Sequence, residues 1–580
     1  MMKKNGKIPV NWRGTEKSLL PRSFGMKLYP LLIPTPHHTI LFKIPKGADN
    51  ILESYPENFH DIWDDKHVKM PCSVFEKENK NRWDIIVASL SKPIKKSEQL
   101  EDAIMSYNLK YKGKWRFHLL HSFFENVLTK EEETDEFFEN LLPKIINLAL
   151  ELPTFITSPI PLLKQNNNHS ISISQIQIAC LLANAFLCTF PNRNGDYSEY
   201  KTYPQINFNG LFQMKVQKSN DKYLYEKLKC IINYFKKVTD PNFVCKRAVT
   251  YSRRYLPENE LPTWSKLTNQ LTNLHIASTG TIENDGDGMY QVDFADKSIG
   301  GKVIGMGSVQ EEIRFLICPE LIVSQLFSQK MLPTESIIIT GAERFNDYSG
   351  YSKSFKWGGN YTDDTPIDDN SHRRYCTVVA IDALYFRNPK LQFDPKNLSR
   401  ELNKAYAGFS WGNKSDCSDV SVATGNWGCG VFRGDCHLKS LLQMLSAAEA
   451  KRDVVYFTFG KTTTRDSIND MHSFLKNKNV TVGEIFRILI KYNEYMQSHS
   501  KPNLYEFIKS TVNNSVVQKP QNKQIPPAVI DGQLNVSKNA SQSVREKPIQ
   551  STSILKRERN EETEKKKKKR KIDEHFQSAS

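Results

Sequence analysis

Apolar positions along this 580-residue chain fall into two regimes. From about His37 to Leu271 they recur at three- and four-residue spacings, which predicts helices with one buried face. Leu119 to Val127, Glu136 to Leu150, Ser170 to Phe190 and Leu224 to Phe235 carry this pattern, and Ser172 or Ser174 is placed to cap the third stretch. Near Leu274 the pattern changes. Apolar runs of strand length occur at Met289 to Phe294, Ser336 to Ile339, Thr377 to Leu384, Val420 to Ala423 and Asp453 to Phe459. They alternate with helical stretches at Ile313 to Phe327, Leu398 to Ala407 and Leu438 to Ala450, and Thr481 to Ser498 adds a closing helix. Strands separated by helices predict an α/β fold, a mixed sheet flanked by helices and preceded by a mainly helical accessory domain.

Four segments follow from this reading: an irregular N-terminal segment (1–36), the helical accessory domain (37–271), the α/β domain (272–512) and a polar tail (513–580). The tail is too rich in Ser, Asn, Gln and Pro to pack a core, so disorder is expected. Its run Lys565 to Lys571 reads as a nuclear import signal, which predicts a nuclear protein with a cytoplasmic share. No apolar run reaches the roughly 18 residues of a membrane span. The N-terminus lacks the apolar stretch of a secretory signal. Ten cysteines with no C-x-x-C pair suit a reducing compartment. Cys429, Cys436 and His437 lie close in sequence but lack a fourth ligand and the usual spacing, so no metal is expected there. The net charge of +16 suits a polyanionic partner.

The predicted strands run into D-F-A-D, T-G-A-E, A-T-G-N-W-G-C-G and T-F-G. Ligands bind outside the carboxyl ends of strands in open α/β sheets, so these four ends are expected to form one cleft. Between Ile299 and Arg314 the chain reads I-G-G-K-V-I-G-M-G-S-V-Q-E-E-I-R. Its glycines let a backbone approach a phosphate closely. The adjacent carboxylates Glu311 and Glu312 are the usual tools of glycosidic-bond cleavage. Ser308 is the expected N-cap of the following helix, with Glu311 reaching back to its amide as in an S-x-x-E box. The loop matches neither the Walker A nor the Rossmann fingerprint. A phosphate cradle beside an acid pair predicts hydrolysis of a nucleotide-like sugar polymer.

Gly300-Gly301-Lys302, seven residues and then Gln310-Glu311-Glu312 resembles the G-G-G-x(6–8)-Q-E-E signature of poly(ADP-ribose) glycohydrolases. The resemblance extends from about His37 to Ser498. H-D-I-W-D-D-K-H-V-K-M-P-C from His60, P-I-P-L-L-K-Q from Pro159 and S-Q-I-Q-I-A-C-L-L-A-N-A-F from Ser174 carry it through the first half. T-I-E-N, V-D-F-A, E-E-I-R-F, A-T-G-N-W-G-C-G and V-V-Y-F-T-F-G carry it through the second. The resemblance implies a macrodomain-like α/β fold behind a helical domain, acting on the ribose–ribose O-glycosidic bonds of poly(ADP-ribose) and releasing ADP-ribose. It implies Glu312 as the catalytic acid/base and Glu311 as a ligand of the neighbouring ribose hydroxyls. It further implies that Glu283 contacts the adenine, that Tyr351 and Phe459 line or stack on the nucleotide, and that Asn426 lies near the phosphates and ribose. Gly300, Gly301, Gln310 and Asp296 complete the implied substrate site. No metal or cofactor is implied.

The expected partners are poly(ADP-ribose) and poly(ADP-ribosyl)ated proteins, with no membrane and no specific nucleic-acid site, and the expected state is a monomer. The chain departs from the family pattern twice: Lys302 replaces the third glycine, and Asp296 replaces an asparagine. A noncatalytic reader of ADP-ribose chains is the alternative, but binding alone has little use for two adjacent acids. The basic tail also suits a nucleic-acid-binding protein, yet no zinc finger, RNP motif or basic zipper is present.

Overall fold

The computed structural model describes residues 11–44, 52–75, 82–191, 193, 200–243, 245–415, 418–499 and 503–517. A ten-stranded mixed sheet organises them. In chain order its strands are β1 (Trp12–Gly14), β2 (His38–Ile40), β3 (His169–Ser174), β4 (Ala248–Tyr255), β5 (Leu274–Ala277), β6 (Tyr290–Asp293), β7 (Glu335–Thr340), β8 (Thr377–Ala380), β9 (Val422–Gly425) and β10 (Val454–Phe457). Across the sheet the order is β1-β5-β10-β9-β6-β8-β7-β4-β3-β2. The central strands β5, β10, β9, β6 and β8 are parallel to one another. On one side β1 pairs antiparallel with β5; on the other β7, β4 and β3 continue antiparallel, and β2 closes parallel to β3.

Helices cover both faces, which is why the central strands read as continuous apolar runs rather than alternating ones. Ile337 and Ile339 of β7 enter one core and Ile338 the other, because successive strand side chains point to opposite faces. The first core is packed by α1 (Gln175–Phe186), α2 (Tyr223–Val238) and α3 (Gln310–Ile317). The second is packed by α4 (Pro395–Phe409) and α5 (Cys436–Glu449) with the helices that follow.

Three expectations are corrected. Ser170 to Ser174, read as helix, is strand β3. S-I-S-I-S has period two: Ile171 and Ile173 are buried, while Ser170 and Ser172 hydrogen-bond Ser252 and Thr250 on β4 at 2.8 and 2.7 Å. Ser174 then caps α1 in a reciprocal box with Gln177. The single helix expected over Ile313 to Phe327 is broken: α3 stops at Ile317, and Pro319, which has no N–H to donate, opens a 3₁₀ turn before a short helix at Ser324–Phe327. T-G-A-E ends β7, which runs antiparallel to β8, so it falls at the opposite edge of the sheet from the other three strand ends. Glu343 there pairs with Arg247 and with Arg374.

The segment read as irregular contributes edge strand β1, and the region read as mainly helical contributes β2, β3 and β4 to the same sheet. A helix at Leu504–Val517 runs past the expected start of the tail at Asn513. The Lys565 to Lys571 run lies outside the described residues. Among the described residues no helix is long and apolar enough to cross a membrane.

Candidate active site

The carboxyl ends of β5, β6, β9 and β10 open on a cavity of about 350 Å³, within the usual range for a small-ligand site. Glu283 reaches it from the turn after β5, Phe294 from β6, Asn426 from β9 and Phe459 from β10. Gln310, first residue of α3, and Tyr351, from the connection of a two-stranded ribbon, close its other sides. Five of the expected residues (Glu283, Gln310, Tyr351, Asn426, Phe459) therefore share one cavity. The other five (Asp296, Gly300, Gly301, Glu311, Glu312) form the loop–helix joint beside it.

The Q-E-E side chains hold that joint together by reaching back to the loop before them. Gln310 Oε1 accepts from the Phe294 amide at 2.8 Å. Glu311 accepts from the Gly300 amide at 2.6 Å and the Asp296 amide at 2.9 Å. Glu312 accepts from the Lys302 amide at 3.1 Å and the Val309 amide at 2.9 Å. The helix starts one residue later than expected, with Val309 at the N-cap. The back-reaching acid is consequently Glu312, three residues on, and not Glu311. Glu311 instead ties down the 296–300 loop. Both acids are nearly buried, at 3% and 6% exposure.

The glycines are needed where these acids approach the loop. A Cβ on Gly301 would lie 2.5 Å from Glu312 Oε1 and 2.7 Å from Glu311 Oε2, and Gly301 has φ +51°. A Cβ on Gly307 would lie 2.3 Å from Glu312 Oε1. Lys302 is different: its φ is not positive and its side chain is exposed. The third position supplies only its backbone amide, which lysine provides as well as glycine. Asp296 accepts from the Ser298 amide at 2.8 Å, a turn-stabilising bond that asparagine makes equally.

Three groups around the site, two of them buried and one partly so, escaped the sequence reading. Asp293, last residue of β6, is fully buried and neither carboxylate oxygen has a hydrogen-bond partner. Burial and then the charge of Glu312 push its carboxyl well above the usual range, with Arg314 opposing. Glu311 is pushed up too, by burial and then by Asp293 and Glu312. Lys227 of α2 is fully buried and donates to the Gly305 carbonyl at 2.7 Å and to that of Gly307. Burial pulls its ammonium down to about 7, against the pull of Glu312. Its signal was present: Lys227 lies three residues from Leu224 and four from Ile231, on the apolar stripe of α2. The third is Tyr348, which donates to Glu283 Oε1 at 2.5 Å and fixes that carboxylate in the cavity wall.

At the mouth, the Tyr351 and Phe459 rings meet at 5.6 Å between centroids and remain 41% and 59% exposed. Exposed aromatic faces of this kind are stacking platforms for a base. Asn426 is held at both ends, accepting from the Tyr456 hydroxyl at 3.2 Å and donating to the Thr458 carbonyl at 3.3 Å. Among the described residues no group of three or more His, Cys, Asp or Glu side chains is placed to hold a metal ion. His437 packs on Tyr505 at 4.7 Å between ring centroids.

Family comparisons match this organisation. The helical domain of poly(ADP-ribose) glycohydrolase matches residues 129–253, and its macro domain fold matches residues 261–466. Probable poly(ADP-ribose) glycohydrolase 2 of Arabidopsis thaliana is 31% identical over 432 residues, covering 64% of this chain and 81% of the relative. Poly(ADP-ribose) glycohydrolase 1 of the same plant is 30% identical over 454 residues, with the same two coverages. Poly(ADP-ribose) glycohydrolase 2 of Caenorhabditis elegans is 33% identical over 303 residues, covering 50% of this chain and 61% of the relative. With both family domains matched in order and the plant relatives covered over 81% of their length, the chain belongs to the poly(ADP-ribose) glycohydrolase family, enzymes that hydrolyse poly(ADP-ribose).

Proposed function

We propose that this chain cleaves the ribose–ribose O-glycosidic bonds of poly(ADP-ribose) and releases ADP-ribose, with Glu312 as general acid/base. The observation that carries this reading is the Glu312 carboxylate itself. Two backbone amides hold it against Gly301 and Gly307, at the N-terminus of the helix whose first residue lines the nucleotide-sized cavity. An acid fixed by backbone needs no side-chain rearrangement to meet a scissile bond.

Glu312 protonates the departing ribose oxygen, the ribosyl centre passes through an oxocarbenium-like state, and Glu312 then takes a proton from the attacking water. Glu311 holds the loop and, with it, the adjoining ribose. The diphosphate rests against the glycine-loop backbone. The adenine stacks at Tyr351 and Phe459 and contacts Glu283, and Asn426 faces the phosphates and ribose. The Lys565 to Lys571 run supports a nuclear location.

The test is incubation of purified protein with poly(ADP-ribose) and chromatographic measurement of free ADP-ribose. Glu312→Gln is expected to lower turnover by about 10² to 10⁴, the usual contribution of a general acid/base, while ADP-ribose binding persists. Near-wild-type turnover in that variant rejects the assignment. Polymer binding without any ADP-ribose release by the wild type would instead favour a reader.

A further inference from the structure

Cys429 and Cys436 share the wall of the cavity and are not used by the reaction. Cys429 lies in the turn after β9, and Cys436 is the first residue of α5. The intervening loop folds back on itself. The Gly434 amide donates to the Gly428 carbonyl at 2.8 Å, and the Arg433 amide to the Gly430 carbonyl at 3.0 Å. A Cβ on Gly434 would lie 2.7 Å from Gly428 O, so this closure needs glycine. It brings the two thiols close enough to act on each other, while the Cys429 thiol donates to the Trp427 carbonyl at 3.4 Å. Both are free and partly buried.

The two sulfurs are not equivalent. Cys436 is pulled down to about 7, first by the Cys429 hydrogen bond and then by the Lys461 cation, against burial and Asp435. Its place at the start of α5 favours a thiolate as well. Cys429 is pushed up by the same hydrogen bond and by burial. The other described cysteines for which a direction is resolved are all pushed up, chiefly by burial. A thiolate beside a protonated thiol, both open to a ligand cavity, is the arrangement of an attacking and a resolving cysteine.

We propose that Cys429 and Cys436 are a peroxide-reactive dithiol whose disulfide ties the N-terminus of α5 to the turn after β9 and weakens ligand binding in the cavity. The Cys436 thiolate attacks one peroxide oxygen; the O–O bond breaks and hydroxide leaves, taking up a proton as water. The Cys436 sulfenic acid is then attacked by the Cys429 sulfur. The S–O bond breaks, and hydroxide leaves with the Cys429 proton as a second water. Two thiols lose two electrons, and one hydrogen peroxide becomes two waters. A small dithiol reductant reverses the step by thiol–disulfide exchange. Closing the ~2 Å S–S bond draws the turn after β9 and the start of α5 together in the wall that carries Asn426. The effect on binding rests on the assignment of this cavity to ADP-ribose; formation of the bridge does not.

The full chain, purified reduced, is treated with hydrogen peroxide, alkylated, digested with trypsin and analysed by mass spectrometry. Cleavage at Arg433 separates the two cysteines, so the bridge appears as a linked pair of peptides, 415–433 with 434–439. Fragmentation distinguishes Cys429 from Cys417, which lies on the same peptide. ADP-ribose affinity is measured by calorimetry before and after oxidation. The expected result is the linked pair, an affinity about tenfold weaker, the scale of one lost hydrogen bond, and recovery with dithiothreitol. In Cys436→Ala the affinity measured after peroxide equals that of the same variant before it. No linked pair, or oxidation of Cys436 to sulfinic acid without a bridge, overturns the proposal. A bridge that leaves affinity unchanged overturns its effect on binding. If the reduced wild type fails to bind ADP-ribose, the ligand assignment fails, and the linked peptides still report on the dithiol.

Discussion

The Lys227 ammonium, on helix α2, donates to the Gly305 carbonyl of the glycine loop at 2.7 Å. The same ammonium reaches the Gly307 carbonyl, and the neighbouring Tyr223 hydroxyl donates to the Met306 carbonyl at 2.9 Å. One helix from the first half of the chain thus shapes the loop that faces Glu312. In Lys227→Met these carbonyls lose their donor, and a loss of about 1–3 kcal/mol in stability is expected. Turnover should fall with it, because the loop no longer holds Glu312 in place. Thermal melts and ADP-ribose release measure the two effects.

Lys227 also sets a pH dependence. Its folded ammonium is pulled from 10.5 down to about 7, so between those values the unfolded chain holds a proton that the folded chain lacks. Stability contributed at this site therefore rises with pH over that window, by at most about 1.4 kcal/mol per unit. The stability advantage of wild type over Lys227→Met should be smallest near pH 7 and widen as pH rises towards 10.5. A constant difference across the window contradicts the buried, displaced ammonium.

Asp293 and Glu311 act in the opposite sense. Both are pushed up, so the folded chain keeps protons that an unfolded carboxylate releases near pH 4. The folded state then binds more protons, and stability at this pair falls as pH rises above about 4. Asp293→Asn removes one of the two repelling charges. Its melting temperature should decline less than the wild type's from about pH 5 to about pH 8. Parallel profiles would exclude the interaction.

Gly301 and Lys302 are adjacent in the signature but carry different constraints. Gly301→Ala forces a methyl against both carboxylates at a left-handed backbone position. Displacement of Glu312 by about 1 Å is expected to cost roughly a hundredfold in turnover. Lys302→Gly, which restores the family residue, alters only an exposed side chain and should stay within about twofold of wild type. Steady-state kinetics on both variants decide it.

Tyr348→Phe leaves Glu283 without its hydroxyl donor in the cavity wall. Loss of one hydrogen bond to a charged acceptor is worth about 1.5 kcal/mol, so KM should rise about tenfold. The value of kcat should change little, because the contact lies away from the acid/base.

The elements legible in the chain were those whose cause is local. The S-Q-I-Q start of α1, the Q-E-E start of α3 to within one residue, and the five apolar strands were all readable from near neighbours. Ser170 to Ser174 was misread because apolar residues at 171 and 173 fit a helix continuation as well as a strand until β4 supplies its cross-strand partners. Strands β1 and β2 are three residues long, too short for periodicity to register. T-G-A-E was assigned to the wrong edge because strand direction is not written in composition.

What the sequence by itself determined was a local pattern: a glycine loop followed at fixed distance by two acids. Those residues sit within a turn or two of one another, so their relation survives without knowledge of the fold. Only the tertiary structure decided which acid is pinned by which amide, that Asp293 stands unpartnered beside the pair, and that Lys227 supports the loop from some 75 residues away. It also decided that Cys429 and Cys436 share one wall of the cavity. These depend on strand order, strand direction and burial, which raise or lower the energy of a charge through its whole surroundings and not through its neighbours in the chain.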